Sequence, residues 1–95
     1  MEKLDDKAVA AAAEKLPEWR YDPTAGTLSR QFAFKNFIEA FGFMTQVALL
    51  AQSAGHHPDW SNSYSKVSIT LSTHDAGGVT GNDVELAGKI DRLLN

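Results

Sequence analysis

The chain has 95 residues, 43% of them hydrophobic, and no cysteine, which predicts one domain over residues 1–95 and excludes disulfides and thiolate metal sites. The formal net charge is −3 and the basic residues are scattered singly, so nucleic-acid binding is not expected. The N-terminus lacks the basic-then-apolar order of a signal peptide, and no apolar run approaches the ~20 residues of a membrane span. We therefore expect a cytoplasmic protein with no membrane partner.

The first predicted element is a helix from Lys7 to Leu16. This segment is rich in alanine, which favours helix, and Asp5 or Asp6 can accept hydrogen bonds from the free N–H groups of the first turn. Pro17 ends the helix because it has no N–H to donate.

A β-hairpin is expected next. Trp19 and Tyr21 alternate with polar residues in its first strand, and Phe32 and Phe34 do so in its second. The intervening segment 22–26, Asp-Pro-Thr-Ala-Gly, is typical of a turn because proline presets φ and glycine tolerates positive φ.

The longest predicted helix runs from Phe37 to Ala54, with Asn36 as its N-cap and Gly55 as its C-terminal stop. Large exposed apolar stripes are unusual on soluble proteins, so we expect the apolar stripe of this helix to pack in the core. The stripe consists of Phe37, Ala40, Phe41, Met44, Val47, Ala48 and Ala51.

Two further strands are predicted over Asp59–Ser63 and Lys66–Thr73, the second with strict alternation of apolar and hydroxyl side chains. A turn at 77–78 follows, and Thr80 and Asp83 have nearly the spacing of a capping box. The last helix runs to about Leu94, and we expect its inward side to carry Val84, Ala87, Ile90 and Leu94. The order α-β-β-α-β-β-α predicts an α+β fold with three helices on one face of a four-stranded antiparallel sheet.

All three histidines, His56, His57 and His74, lie within residues 56–74. Imidazole both gives and takes a proton near neutral pH, so such a cluster is suited to acid–base chemistry. Pro58 disfavours a helical conformation at His57, and His74 shares the polar face at the end of the last strand. The sequence therefore predicts a small-molecule site where these element ends meet.

Other readings of the same residues are less consistent with their spacing. Neighbouring histidines chelate one ion awkwardly, and neither His-x₃-His nor Glu-x-x-His occurs, so no metal is expected. No Gly-x-Ser-x-Gly elbow surrounds a serine. An exposed histidine without a function stays the alternative for each histidine considered alone.

The order His56-His57-Pro58, five residues, Tyr64, nine residues, His74, eight residues and Asp83 resembles the signature of the pterin-4a-carbinolamine dehydratases. Further agreement at Trp19, Trp60 and the segments 32–34 and 72–75 extends the resemblance over nearly the whole chain. One departure is Gln52, which stands where the family commonly has an acidic residue, four positions before the first histidine.

The resemblance implies dehydration of a 4a-hydroxytetrahydropterin to the quinonoid dihydropterin without a cofactor. It makes His57 the principal acid or base, with His56 and His74 holding the pterin and assisting. It also implies a substrate site lined by residues 56–58 and 73–76: His56, His57, Pro58, Thr73, His74, Asp75 and Ala76.

Two residues are expected to support the histidines. Asp83 would orient His74 or cap the last helix. Gln52 would orient the ring of His56, its i to i+4 neighbour on the long helix. Asp59 and Asp75 would bind the pterin edge or lie in solvent.

The resemblance further implies a homodimer or homotetramer. It leaves two alternatives to catalysis of this reaction. One is an interaction protein of the kind that dimerises a transcription factor, and the other is a pterin-binding relative with a changed substrate.

Overall fold

The structure, a computed structural model, describes residues 2–94. Its α-helices are α1 (Asp6–Ala13), α2 (Phe37–Ala54) and α3 (Gly81–Arg92), and its strands are β1 (Arg20–Asp22), β2 (Thr27–Ala33), β3 (Asp59–Ser63) and β4 (Lys66–Leu71). A single 3₁₀ turn, His74–Ala76, precedes α3. The predicted element order and α+β class are confirmed, while the terminal residues of the predicted domain, Met1 and Asn95, lie outside the described residues.

The four strands form one antiparallel sheet in the order β1-β2-β4-β3. The predicted alternation in β4 is confirmed, because Val67, Ile69 and Leu71 are fully buried beneath the helices. Asp59, the first residue of β3, pairs with Thr70 near the end of β4. The chain entering β3 and the chain leaving β4 therefore meet at one edge of the sheet.

One continuous hydrophobic core joins the helices to the sheet. Phe32 of β2 packs at its centre, with ring centroids 4.8 Å from Phe43 and 6.1 Å from Trp19. Edge-to-face and tilted contacts of this kind add to the free energy gained by burying the rings. The core fixes α2 and α3 on the sheet, so the C-terminus of α2 and the N-terminus of α3 are held in place relative to each other.

The predicted hairpin strands extend beyond their observed ends. β1 begins at Arg20 and β2 ends at Ala33, so Trp19 and Phe34 lie just outside the strands.

Three other predicted elements are also longer than the observed ones. α1 ends at Ala13 rather than Leu16, because residues 14–16 tighten into a turn whose N–H groups bond to carbonyls three residues back. β4 ends at Leu71 rather than Thr73, since the Thr73 carbonyl accepts N–H groups from Ala76, Gly77 and Gly78. α3 ends at Arg92, and Leu94 is exposed rather than inward-facing.

The predicted inward stripe of α2 is partly wrong. Ala40, Val47 and Ala51 are buried together with Phe43, which the stripe omitted. Phe37, Phe41 and Ala48 are exposed. The buried positions recur at i, i+3, i+7 and i+11, so the helix lies rotated relative to the predicted stripe.

The prediction for α3 has a smaller error. Ala87 and Ile90 are buried as expected, Val84 is only half-buried, and Leu86 is buried although it was not predicted to be. Within residues 2–94, every helix is too short or too polar to cross a membrane.

Candidate active site

The C-terminus of α2 sets the direction of the histidine segment. Gly55 adopts a left-handed conformation with φ of 63°, and the N–H groups of Gly55 and His56 bond to the carbonyls of Gln52 and Ala51. This pair of bonds is the glycine-dependent cap that satisfies the last carbonyls of a helix. The cap turns the chain, so that His56 and His57 lie beside the last turn of α2 instead of continuing its spiral.

His56 points inward and contacts a buried carboxylate. Its Nε2 donates a hydrogen bond to Oδ1 of Asp83. The side chain of His56 is 12% exposed and that of Asp83 is fully buried. The expectation that Asp83 orients His74 is therefore wrong, and the histidine that it holds is His56.

Asp83 receives three hydrogen bonds in all. Its Oδ2 accepts from the backbone N–H of Thr80 at 2.8 Å, which completes the predicted capping box, and from Oγ1 of Thr73 at 2.9 Å. A buried charge is tolerable only when it is hydrogen-bonded, and the first turn of a helix favours a negative group. The predicted capping role of Asp83 is thus confirmed.

Thr73 and Thr80 complete this buried network. Their hydroxyl oxygens lie 2.8 Å apart. Since the single hydroxyl hydrogen of Thr73 goes to Asp83, Thr80 donates to Thr73. Thr73 was expected to bind substrate, but its hydroxyl bonds within the protein and ties the end of β4 to the start of α3.

Gln52 contacts His57, not His56 as the helical spacing had suggested. Oε1 of Gln52 lies 2.9 Å from Nε2 of His57, five residues further along the chain. The left-handed Gly55 causes the difference because it breaks the helical periodicity that would have paired Gln52 with His56. His57 is exposed, so its other ring nitrogen can meet a ligand.

His74 opens the 3₁₀ turn that follows β4. Its side chain is 84% exposed, and its Nε2 lies 3.8 Å from Oδ2 of the exposed Asp59. Asp75 is exposed beside it, while Pro58 and Ala76 are half-buried on the two segments. The predicted site segments 56–58 and 73–76 therefore converge at the same edge of the sheet.

His57 and His74 lie on an open surface. A concave region of about 890 Å³ lies on another side of α3, between α1 and α3, and no histidine lines it. In this region Asp91 accepts hydrogen bonds from Arg30 at 2.7 Å and from Trp19 Nε1 at 2.8 Å. A smaller cavity of about 140 Å³ reaches one side of His56.

The described histidines also differ in what they face. Nε2 of His56 is directed at Asp83, and Nε2 of His57 at Gln52. Among residues 2–94, no group of three or more His, Cys, Asp or Glu side chains is arranged to hold a metal ion. The arrangement can hold and transfer protons, with one histidine clamped by a buried carboxylate and two exposed.

These features define an α+β domain with a surface histidine site built on a buried aspartate. A family model described as Pterin 4 alpha carbinolamine dehydratase matches residues 2–93. The chain belongs to the pterin-4a-carbinolamine dehydratase family.

Similar proteins from two bacteria each carry the name "Putative pterin-4-alpha-carbinolamine dehydratase". The protein of Rhodospirillum rubrum is 52% identical over 93 residues, which cover 98% of this chain and 97% of that protein. The protein of Prochlorococcus marinus is 56% identical over 82 residues, which cover 86% of this chain and 84% of that protein.

Two solved structures share the fold. A transcriptional coactivator/pterin dehydratase from Brucella melitensis has a TM-score of 0.94 at 37% identity and covers 99% of this chain and 100% of its own. A pterin dehydratase-like protein identified as a RuBisCO assembly factor in the alpha-carboxysome has a TM-score of 0.69 at 25% identity, with coverage of 80% and 88%. The names of these relatives thus include a coactivator and an assembly factor as well as a dehydratase.

Proposed function

We propose that this protein dehydrates a 4a-hydroxytetrahydropterin to the quinonoid dihydropterin. The observation that carries the proposal is that Asp83 joins the two histidine segments. One of its oxygens accepts a hydrogen bond from His56, and the other accepts one from Thr73, the neighbour of His74. Membership in the dehydratase family supports the same reaction.

The reaction is an elimination of water. The C4a–O bond breaks, and the lone pair of N5 forms the C4a=N5 double bond as the oxygen leaves. The departing hydroxyl gains one proton and the pterin ring loses one, so that atoms and charge balance and no electrons are exchanged with another molecule. Acid–base assistance of this kind accelerates a reaction by about 10²–10⁴-fold.

The three histidines are proposed to divide these tasks. His57 is exposed and held at Nε2 by Gln52, so its Nδ1 would be the principal proton-transfer atom. His74, exposed beside Asp59, would handle the second proton. His56 is bound to the buried Asp83 and would hold the pterin at the inner side of the site.

We also propose that α2 carries a surface for a second copy of the chain. Ile38, Phe41 and Leu49 are 80%, 56% and 69% exposed on this helix. Phe41 and Leu49 lie four residues before and after Thr45, and Glu39 is the one charged residue of the helix.

Phe41 and Leu49 are placed symmetrically about Thr45, so that an antiparallel copy of α2 centred there would place Phe41 against Leu49. Burial of these side chains would be favourable, and no like charges would oppose one another at the centre of the contact. The proposal is therefore a homodimer, or a homotetramer if the sheet edges pair as well.

The same exposed face supports the rival function of an interaction protein. A partner helix could occupy it, and one relative of known structure is named a transcriptional coactivator. Catalysis and partner binding would then rest on separate surfaces, one at the histidines and one on α2. A substitution at His57 would stop dehydration without changing partner binding.

The test is to follow freshly generated 4a-hydroxytetrahydropterin by ultraviolet absorbance with and without the protein. We expect the folded protein to accelerate loss of the carbinolamine in proportion to its concentration. A folded protein that leaves the spontaneous rate unchanged would contradict the proposal and favour a changed substrate or an interaction role.

A further inference from the structure

We propose that Gln52 is a positioning residue that fixes the tautomer of His57. In this arrangement the neutral ring carries its hydrogen on Nε2 and presents a bare Nδ1 to the substrate. The catalytic meaning of this inference rests on the function proposed above, whereas the tautomer itself can be measured without any turnover.

The chemistry of the contact between Gln52 and His57 fixes the direction of its hydrogen bond. Oε1 of Gln52 lies 2.9 Å from Nε2 of His57. An amide oxygen can only accept a hydrogen bond, so Nε2 must donate. A neutral imidazole has one N–H and one bare nitrogen, and the bare one is then Nδ1.

The backbone holds both partners of this contact in place. Gln52 lies in the last turn of α2, and its carbonyl accepts the N–H of Gly55 in the helix cap. Pro58 restricts the backbone of His57 from the other side. The backbone of His57 is therefore constrained by the cap before it and the proline after it, although its side chain is exposed.

Comparison with His56 shows what a neutral partner contributes. Both rings are held at Nε2, His56 by the carboxylate of Asp83 and His57 by the amide of Gln52. A carboxylate orients a ring and places a full negative charge beside it. An amide orients the ring without that charge, so Gln52 suits a histidine that must begin as a neutral base.

The proton balance follows from this tautomer. A proton from the pterin ring passes to Nδ1 of His57, while the hydrogen on Nε2 stays there and remains hydrogen-bonded to Oε1 of Gln52. The departing hydroxyl takes its proton from His74, so that one water is lost and the two histidines together hold the same number of protons as before. Exchange with solvent then restores the starting state.

The test is nuclear magnetic resonance of protein labelled with ¹⁵N at histidine, with the His57 signals assigned by their loss in His57→Ala. In the wild type, we expect neutral His57 to show a pyrrole-type Nε2 and a pyridine-type Nδ1. In Gln52→Met, which is similar in length but cannot accept at that position, both nitrogens should move to shifts averaged between the two tautomers. Gln52→Glu should keep the wild-type tautomer.

Gln46→Met is the matched control, since Gln46 is an exposed glutamine on the same helix. It should leave the His57 signals unchanged. In turnover, we expect Gln52→Met to lower kcat by about three- to tenfold, the value of one lost hydrogen bond, with KM changed by less than about twofold.

A wild-type spectrum with the hydrogen on Nδ1, or an unchanged spectrum in Gln52→Met, would overturn the inference. Dehydratase activity together with either of those spectra would leave the proposed function intact. The expected spectra together with no dehydration would overturn the proposed function and support the positioning role of Gln52.

Discussion

His56 and the fully buried Asp83 are joined by a hydrogen bond from Nε2 to Oδ1, across 27 residues of sequence. The same carboxylate accepts from Thr73 and from the backbone of Thr80. One side chain therefore connects the chain leaving α2, the chain leaving β4 and the first turn of α3. Changes at Asp83 should disturb the stability of the fold and the histidine site together.

Replacing Asp83 with asparagine should destabilise the protein by about 2–3 kcal/mol, because an amide cannot accept on both sides of the buried network. The unfolding free energy from urea titration measures this loss. Asp75→Asn, the same change at an exposed carboxylate of the histidine turn, should fall within about 0.5 kcal/mol of the wild type. Equal losses in the two variants would remove Asp83 from this structural role.

The Thr73 hydroxyl should matter more than the volume of its side chain. Thr73→Val keeps the shape but removes the donor to Asp83 and the acceptor for Thr80, which should cost about 1–3 kcal/mol and lower dehydration. Thr73→Ser keeps the hydroxyl, so its unfolding free energy and its rate of dehydration should both be close to those of the wild type. Thermal unfolding and turnover of the two variants provide the comparison, and a serine variant no better than valine would contradict this account.

Self-association through α2 should be broken by a charge at Phe41 or at Leu49, the two exposed residues that would face each other. The wild type should sediment as a species heavier than its 10.3 kDa monomer, and Phe41→Glu or Leu49→Glu should shift it toward that mass. Ala10→Glu places the same charge on the exposed side of α1 and should leave the sedimenting mass equal to that of the wild type. A wild type that sediments at 10.3 kDa at micromolar concentration would exclude this interface.

The contact between Tyr21 and Asp6 gives a prediction for alkaline pH. The Tyr21 hydroxyl donates to Oδ1 of Asp6 at 2.6 Å, and this hydrogen bond, with smaller effects of burial and nearby carboxylates, raises the pKa of Tyr21 above 10.0. A folded-state pKa above the unfolded value means that the stabilisation is complete below about pH 10 and is lost as pH rises through the folded value.

Tyr21→Phe should therefore be less stable than the wild type by less than about 1 kcal/mol at neutral pH, with the difference vanishing as pH rises through the raised pKa of Tyr21. Tyr64→Phe, at an exposed turn, is the matched control and should show no such trend. Denaturant midpoints measured from pH 7 upward provide the test. A Tyr21→Phe deficit that grows with pH would have the wrong sign.

Local patterns in the sequence predicted the parts of the site that depend on local geometry. The Thr80 to Asp83 spacing correctly indicated a capping box, because both partners lie in one helical turn. The local pattern could not predict that His56 is the partner of Asp83, because these two residues meet only after α2 and α3 pack together. Gln52 was paired with the wrong histidine because one left-handed residue, Gly55, ended the periodicity.

The sequence pattern also did not show which side of α2 packs against the sheet. Apolar residues occur on most sides of this helix, so periodicity alone did not decide whether Phe41 or Phe43 would meet the sheet. In the fold Phe43 packs against Phe32 at 4.8 Å, and Phe41 is left exposed. By contrast, β4 has hydroxyl residues on one side and branched apolar residues on the other, and its orientation was predicted correctly.

The central claim is that His57 transfers a proton during dehydration of the pterin carbinolamine. The most direct measurement compares kcat of His57→Ala with that of the wild type on freshly generated substrate, after circular dichroism shows that the variant is folded. The account predicts a fall of about 10²–10⁴-fold. Wild-type turnover by a folded His57→Ala protein would contradict it.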